Sequence, residues 1–142
     1  MITNERQYAI AKAQAARFKE ALAKSDEPKP KLHPRALKAM REGVESQLQD
    51  LQAEIAEYER LRDGAVTSIV ADSILDLPGA LIKARIVRNW TQKELGERLK
   101  LPEQQIQRYE ASLYKGVSVE RLQEVADALG VRVREVVTLD PL

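Results

Sequence analysis

Apolar residues recur at steps of three and four from Asn4 to about Lys24, where Tyr8, Ala11, Ala15, Phe18 and Leu22 make one stripe of an α-helix. The spacing resumes at Pro34, a residue suited to the first turn of a helix, and runs to about Asp63 through Leu37, Val44, Leu48, Leu51, Ile55 and Tyr58. From Val44 the steps alternate four and three, as on a heptad seam, while Arg41 and Arg62 interrupt the same frame. Between the two helices, the prolines at 28, 30 and 34 predict a linker over 25–34, because each lacks an N–H and disfavours helix in the residue before it. At 1.5 Å per residue the helices would extend about 31 Å and about 43 Å. Paired as an antiparallel hairpin, the longer would overhang, and with Leu61 it would leave apolar surface for a second copy or another partner.

Gly64 ends the second helix. The connector 64–77 is ambiguous: β-branched residues between Ala65 and Asp76 favour a strand, while Ile69, Asp72, Ser73 and Leu75 also permit a helical turn. After Pro78 the pattern changes to short helices in quick succession. Asn89 stands where the first should end and tolerates a left-handed backbone. Thr91 and Glu94 form a capping box that starts the next helix sharply. Lys100-Leu101-Pro102 makes a turn, with Leu101 inward, before a helix starting at Glu103. Ser118 caps a last helix whose Leu122, Val125, Ala126 and Leu129 share a face before Gly130 ends it. The expected fold is therefore all-α: a helical hairpin over 1–63, the connector, and a four- to five-helix domain over 78–142.

Composition narrows the chemistry. The 142 residues are 44% hydrophobic and 32% charged with 4% aromatics, which fits a helix-rich globular chain. There is no Cys, so disulfides, thiolate-bound zinc and thiol catalysis are excluded. His33 is the single His and lies beside Pro34, which leaves neither a His-based triad nor a histidine metal cluster. No glycine-rich phosphate loop occurs, so no catalytic activity, cofactor or metal is expected. No apolar run reaches the roughly 18 residues of a membrane span, and a cytoplasmic location is expected.

The net charge of +1 conceals a gradient. Between Pro78 and Gly116, eight cationic residues oppose four acidic ones, and beyond Gly116 three cations face five acids. A cationic segment in a balanced chain attracts phosphates. Two short helices joined by a turn of about three residues also form the unit whose second helix can enter the DNA major groove.

The residues Thr91-Gln92-x-Glu94-Leu95-Gly96-x-x-Leu99, then Leu101, Ile106 and Arg108-Tyr109-Glu110, then Leu122 to Gly130, resemble the Xre family of Cro- and phage-repressor-like helix-turn-helix domains. The resemblance covers about 77–137. It implies a lambda-repressor-like domain in which Gln92 touches a phosphate and braces the recognition helix, while Glu103, Gln104 and Arg108 face bases with Gln105 and Gln107 beside them. Arg can grip guanine, Gln adenine, and Glu the cytosine amine. Lys93, Tyr114 and Lys115 match positions that meet the DNA backbone, and Arg85 and Glu110 match positions paired inside relatives. Trp90 falls where relatives carry a core Leu, so it is expected to plug the junction of the first two helices. Two departures stand out: Pro102 replaces the usual small hydroxyl residue, and Glu103 brings a carboxylate towards phosphates.

Two functions follow. In one, the chain is a sequence-specific transcriptional regulator, a repressor binding a palindromic operator in double-stranded DNA as a homodimer, assembled through Val44, Leu48, Leu51, Ile55 and Tyr58. In the other, it is an antitoxin or bridging adaptor whose N-terminal helices bind a protein such as a toxin.

Overall fold

The computed structural model describes residues 1–24 and 33–142, so the expected proline linker lies largely outside the described residues. Six α-helices and one 3₁₀ turn, with no strand among the described residues, fall into two compact units, 1–65 and 66–142.

The first unit is a helical hairpin of α1 (Glu5–Lys24) and α2 (Pro34–Arg62). Asn4 starts α1 by accepting from the Gln7 N–H at 2.8 Å, and His33 caps α2 by accepting from the Arg35 N–H at 3.1 Å. The start of α1 lies against the end of α2, so the helices are antiparallel. The rings of Tyr8 and Tyr58 pack with centroids 5.1 Å apart. Their hydroxyls cross over: Tyr8 donates to Glu59 at 2.7 Å and Tyr58 to Glu5 at 3.0 Å. Each phenol thus buries its ring and satisfies its polar end on the opposite helix.

Two expectations about this hairpin need correction. Leu61 is 1% exposed and belongs to the hairpin core, so it does not contribute to an open apolar surface. Arg62 does not break the seam but caps it, with its guanidinium 4.8 Å from the Tyr8 ring centroid, where a cation meets the negative face of the aromatic. Arg41 is likewise accommodated at the helix edge, paired with Glu45 one turn on at 3.1 Å.

The second unit takes in the connector. Residues 65–71 have no regular secondary structure, and Ile74–Asp76 forms a 3₁₀ turn against α3 (Leu77–Val87), so of the two alternatives the ambiguous stretch holds a short helical turn and no strand. Then follow α4 (Gln92–Leu99), α5 (Glu103–Ala111) and α6 (Val119–Leu129). Ile82, Leu95, Ile106, Val125 and Leu129, at most 1% exposed, form their shared core.

Local chemistry sets each boundary. Asn89 adopts φ 56°, and both halves of the Thr91–Glu94 capping box form. Ser118 accepts from the Arg121 N–H, and Gly130 is left-handed at φ 66°. Between α4 and α5 the chain doubles back so tightly that the Leu101 N–H reaches the Gly96 carbonyl at 2.8 Å. A Cβ at position 96 would lie 2.6 Å from the Leu101 carbonyl oxygen, a contact with backbone that no side-chain rotation relieves. Gly96→Ala should therefore destabilise the second unit by about 1–3 kcal/mol through overpacking. Thermal unfolding measures it, with Gly79→Ala as control, since a Cβ there meets nothing within 4 Å; equal midpoints for the two variants would contradict the close approach.

Candidate nucleic-acid interface

The site is organised from behind by buried charge. Arg85 on α3 and Glu110 on α5 have side chains only 3% and 1% exposed, and ionised groups so far from water must be paired. Arg85 Nε donates to Glu110 Oε2 at 2.6 Å and Nη2 to Oε1 at 2.7 Å, a two-pronged match of fork to carboxylate. The remaining Nη1 donates to the Trp90 carbonyl at 2.7 Å, in the turn between α3 and α4. Gln92, on the first turn of α4, donates from Nε2 to Glu110 Oε1 at 3.0 Å. One carboxylate therefore collects donors from two helices, and no buried side-chain nitrogen or oxygen among the described residues lacks a partner.

This arrangement fixes the rotation of α5. With Ile106 and Glu110 turned inward, Glu103, Gln104, Gln107 and Arg108 are exposed on the outward face, at positions one turn apart. Gln105 lies half-buried at the edge. Lys93 beside the start of α4 and Lys115 just past α5 are both exposed. Lys100, which the sequence reading placed in the turn without a contact role, is exposed at the corner of that turn with φ 58°. Its signal was the need for a left-handed residue directly after Leu99, which here is met by a cation instead of Gly or Asn.

Three candidates are placed elsewhere than expected. Gln92 braces α5 as expected, but it is buried, with its amide nitrogen directed at Glu110. Tyr114 is 3% exposed, stacked on Tyr109 at a centroid distance of 5.2 Å, so it supports the loop from within and offers no ring to the DNA backbone. Burial pushes its hydroxyl well above the ordinary tyrosine range, and the nearby Glu110 carboxylate adds to the effect while Arg85 opposes it. Trp90 is not fully buried at the helix junction: it is partly exposed, with the Arg98 guanidinium over its ring at 3.9 Å and Glu94 and Glu97 alongside. Of the hairpin residues, Leu48 and Tyr58 are buried between α1 and α2, which removes them from any outer surface, while Val44, Leu51 and Ile55 remain partly exposed.

Residues 81–136 match the family model described as Helix-turn-helix. The chain therefore carries an Xre/Cro-like helix-turn-helix domain in its C-terminal part, with α4 and α5 as the two helices of the motif. The match supports a DNA-binding regulator, of a family typically without enzymatic activity. No curated protein and no solved structure matches the chain. Among the described residues, no helix is long and apolar enough to cross a membrane.

Removing one partner of the buried pair leaves the other without compensation. Glu110→Gln should cost about 3–5 kcal/mol of unfolding free energy, whereas Glu124→Gln, which breaks the exposed pair with Arg121, should cost about 0–1 kcal/mol; comparable losses in denaturant titrations would show that the pair does not organise the fold. For Tyr114, the folded state resists ionisation that the unfolded state allows, so stability should be intact below about pH 10, the ordinary tyrosine value, and fall as pH rises beyond it. Tyr114→Phe should flatten that alkaline decline in the thermal midpoint; an identical decline in the variant would assign it to other groups. Arg98→Ala should shift Trp90 emission to the red by uncovering the indole, a change that a deeply buried ring would not show.

Proposed function

We propose that the chain is a sequence-specific DNA-binding transcriptional regulator that inserts α5 into the major groove, acting as a homodimeric repressor at a palindromic operator. The observation that carries this reading is the outward face of α5. Glu103, Gln104, Gln107 and Arg108 are exposed there and all carry hydrogen-bonding groups, and a buried charge network holds the helix behind them.

Arg108 suits guanine O6 and N7, Gln104 and Gln107 suit adenine N6 and N7, and Glu103 can accept from the cytosine amine. Lys93, Lys100 and Lys115 surround this face and suit phosphates, which set register without reading sequence. A two-fold dimer would present two such helices to half-sites about one helical turn, or ~34 Å, apart. The N-terminal hairpin supplies a surface for assembly. Val44, Leu51 and Ile55 are incompletely covered by α1, and Met40, on the longer helix, is 56% exposed. That same surface supports the second reading, an antitoxin-like or bridging role in which the hairpin docks a different protein.

Selection of bound fragments from random DNA by the full-length protein, at stated salt, tests the proposal. A defined inverted-repeat motif is expected, with affinity falling steeply as salt rises because phosphate counterions are released. Arg108→Ala should cost roughly 1–3 kcal/mol and relax preference at one base, while Lys115→Ala should weaken all sequences alike. Recovery of no motif would overturn the sequence-specific reading, and a full-length monomer at micromolar concentration would overturn the dimer.

A further inference from the structure

One residue grips the turn between α3 and α4 twice. The Trp90 N–H donates to the Arg85 carbonyl at 3.2 Å, and the Trp90 carbonyl accepts from Arg85 Nη1 at 2.7 Å. Arg85 thus holds both polar backbone atoms of residue 90, one through its own main chain and one through its guanidinium. Nearly any residue at position 90 would offer those two atoms, so they give no reason for a tryptophan.

The reason lies in the ring. Helix side chains lean towards the N-terminus, which carries Arg98 from the last turn of α4 back towards the turn. Its guanidinium lies over the Trp90 ring, 3.9 Å from the centroid, and indole is the aromatic face that attracts a cation most strongly. The other restraints on this turn are local to it: Asn89 reverses the chain at φ 56°, and Thr91 and Glu94 cap α4. They fix where α4 begins. The stacked ring adds a hold on where residue 90 sits against the body of that helix.

This position matters beyond the turn. While Nη1 of Arg85 meets the Trp90 carbonyl, Nε and Nη2 meet the two Glu110 oxygens at 2.6 and 2.7 Å. A planar fork cannot shift one edge without turning the others, so a displaced Trp90 carbonyl either loses Nη1 or swings the other two nitrogens off the carboxylate. Both side chains are buried, so water does not replace a lost partner. Glu110 in turn fixes the rotation of α5.

We propose that Trp90 is a positioning residue for α5: its Arg98-stacked indole holds the residue 90 carbonyl on Arg85, and through Arg85 and Glu110 it sets which side chains α5 turns outward. Trp90 itself reads no base. Its effect on recognition rests on the major-groove reading proposed above.

Two readouts on the full-length protein test this, the first without DNA. NMR follows hydrogen exchange at the Arg85 Nε–H, with the N–H of the fully buried Val125 in α6 as a gauge of general loosening. Trp90→Ala and Arg98→Ala, which remove the stack from either side, should each speed exchange at Arg85 about tenfold more than at Val125, while Trp90→Phe, which keeps a ring for Arg98, should stay within about threefold of wild type. Arg98→Ala carries this arm should Trp90→Ala not fold. The second readout uses the charge-neutral variants and divides affinity for the motif selected from random DNA by affinity for a scrambled duplex. The ratio should fall about tenfold in Trp90→Ala and hold in Trp90→Phe, with the scrambled duplex bound within about twofold of wild type, because phosphate contacts survive a small rotation of α5 and base contacts do not. Unchanged exchange at Arg85 in the alanine variants would overturn the proposal, and so would an equal rise at Val125, which would reduce Trp90 to general stability. A ratio that holds in Trp90→Ala although Arg85 exchanges faster would overturn it as well. If selection recovers no motif, the sequence-specific reading fails, and the exchange arm by itself supports or overturns the positioning role.

Discussion

A guanidinium and a carboxylate that both lie out of water have to satisfy one another, and in the C-terminal unit that requirement governs three helices together. Arg85 uses its whole fork: two nitrogens hold Glu110, and the third holds the Trp90 carbonyl. Gln92 adds a third donor to the carboxylate. A turn of α5 about its axis by one residue, about 100°, would carry Glu110 away from Arg85 and move a different set of side chains outward. Apolar packing of Ile106 and Leu95 tolerates small rotations, because dispersion has little directional preference, whereas a two-pronged ionic hydrogen bond does not. The pair thus specifies which residues α5 presents, while the aliphatic core provides most of the burial.

This also separates what the sequence displays from what it hides. Helix boundaries were legible because their causes are local: a threonine three residues before a glutamate, an asparagine or glycine where the backbone must turn left-handed, a serine ahead of an apolar repeat. The pairing of Arg85 with Glu110 was legible through family resemblance alone, since nothing in the spacing of residues 25 positions apart announces a contact. The bond to the Trp90 carbonyl was not, because a backbone acceptor leaves no mark on residue choice. Trp90 was misplaced for a related reason. Its cover is Arg98, eight residues away across a capped turn, and an arginine there reads equally well as a solvated helix face.

Tyr114 illustrates a different obstacle. Leu113 and Tyr114 both adopt positive φ, and neither is the Gly or Asn that would advertise it. The two left-handed residues reverse the chain within the loop and turn the phenol back under Tyr109, where regular backbone would have sent it outward. Tertiary packing sustains the strain of such a conformation, so it shows only once the fold is in place. In the hairpin, the heptad seam did locate the contact face. It could not say that Tyr8 and Tyr58 would exchange hydrogen bonds with Glu5 and Glu59, which draws Leu61 and Arg62 into the intramolecular contact and shifts any remaining apolar surface towards the start of α2.

Charge distribution limits how this domain can work. With a net charge of +1 and Glu103 at the outward start of α5, the protein lacks the excess of cations that drives strong binding to any duplex. A weak sequence-independent term has an advantage: discrimination depends on the ratio between specific and non-specific affinity, and the second is held low. In the proposed DNA-reading role Glu103 would contribute in the same direction, since opposite the wrong base its carboxylate would face phosphates without a compensating donor, and only a suitably placed cytosine amine would relieve it. A helix in that proposed role would gain selectivity by making incorrect sites costly, which is effective only if the helix cannot rotate to avoid the cost. The buried pair behind α5 supplies that restraint.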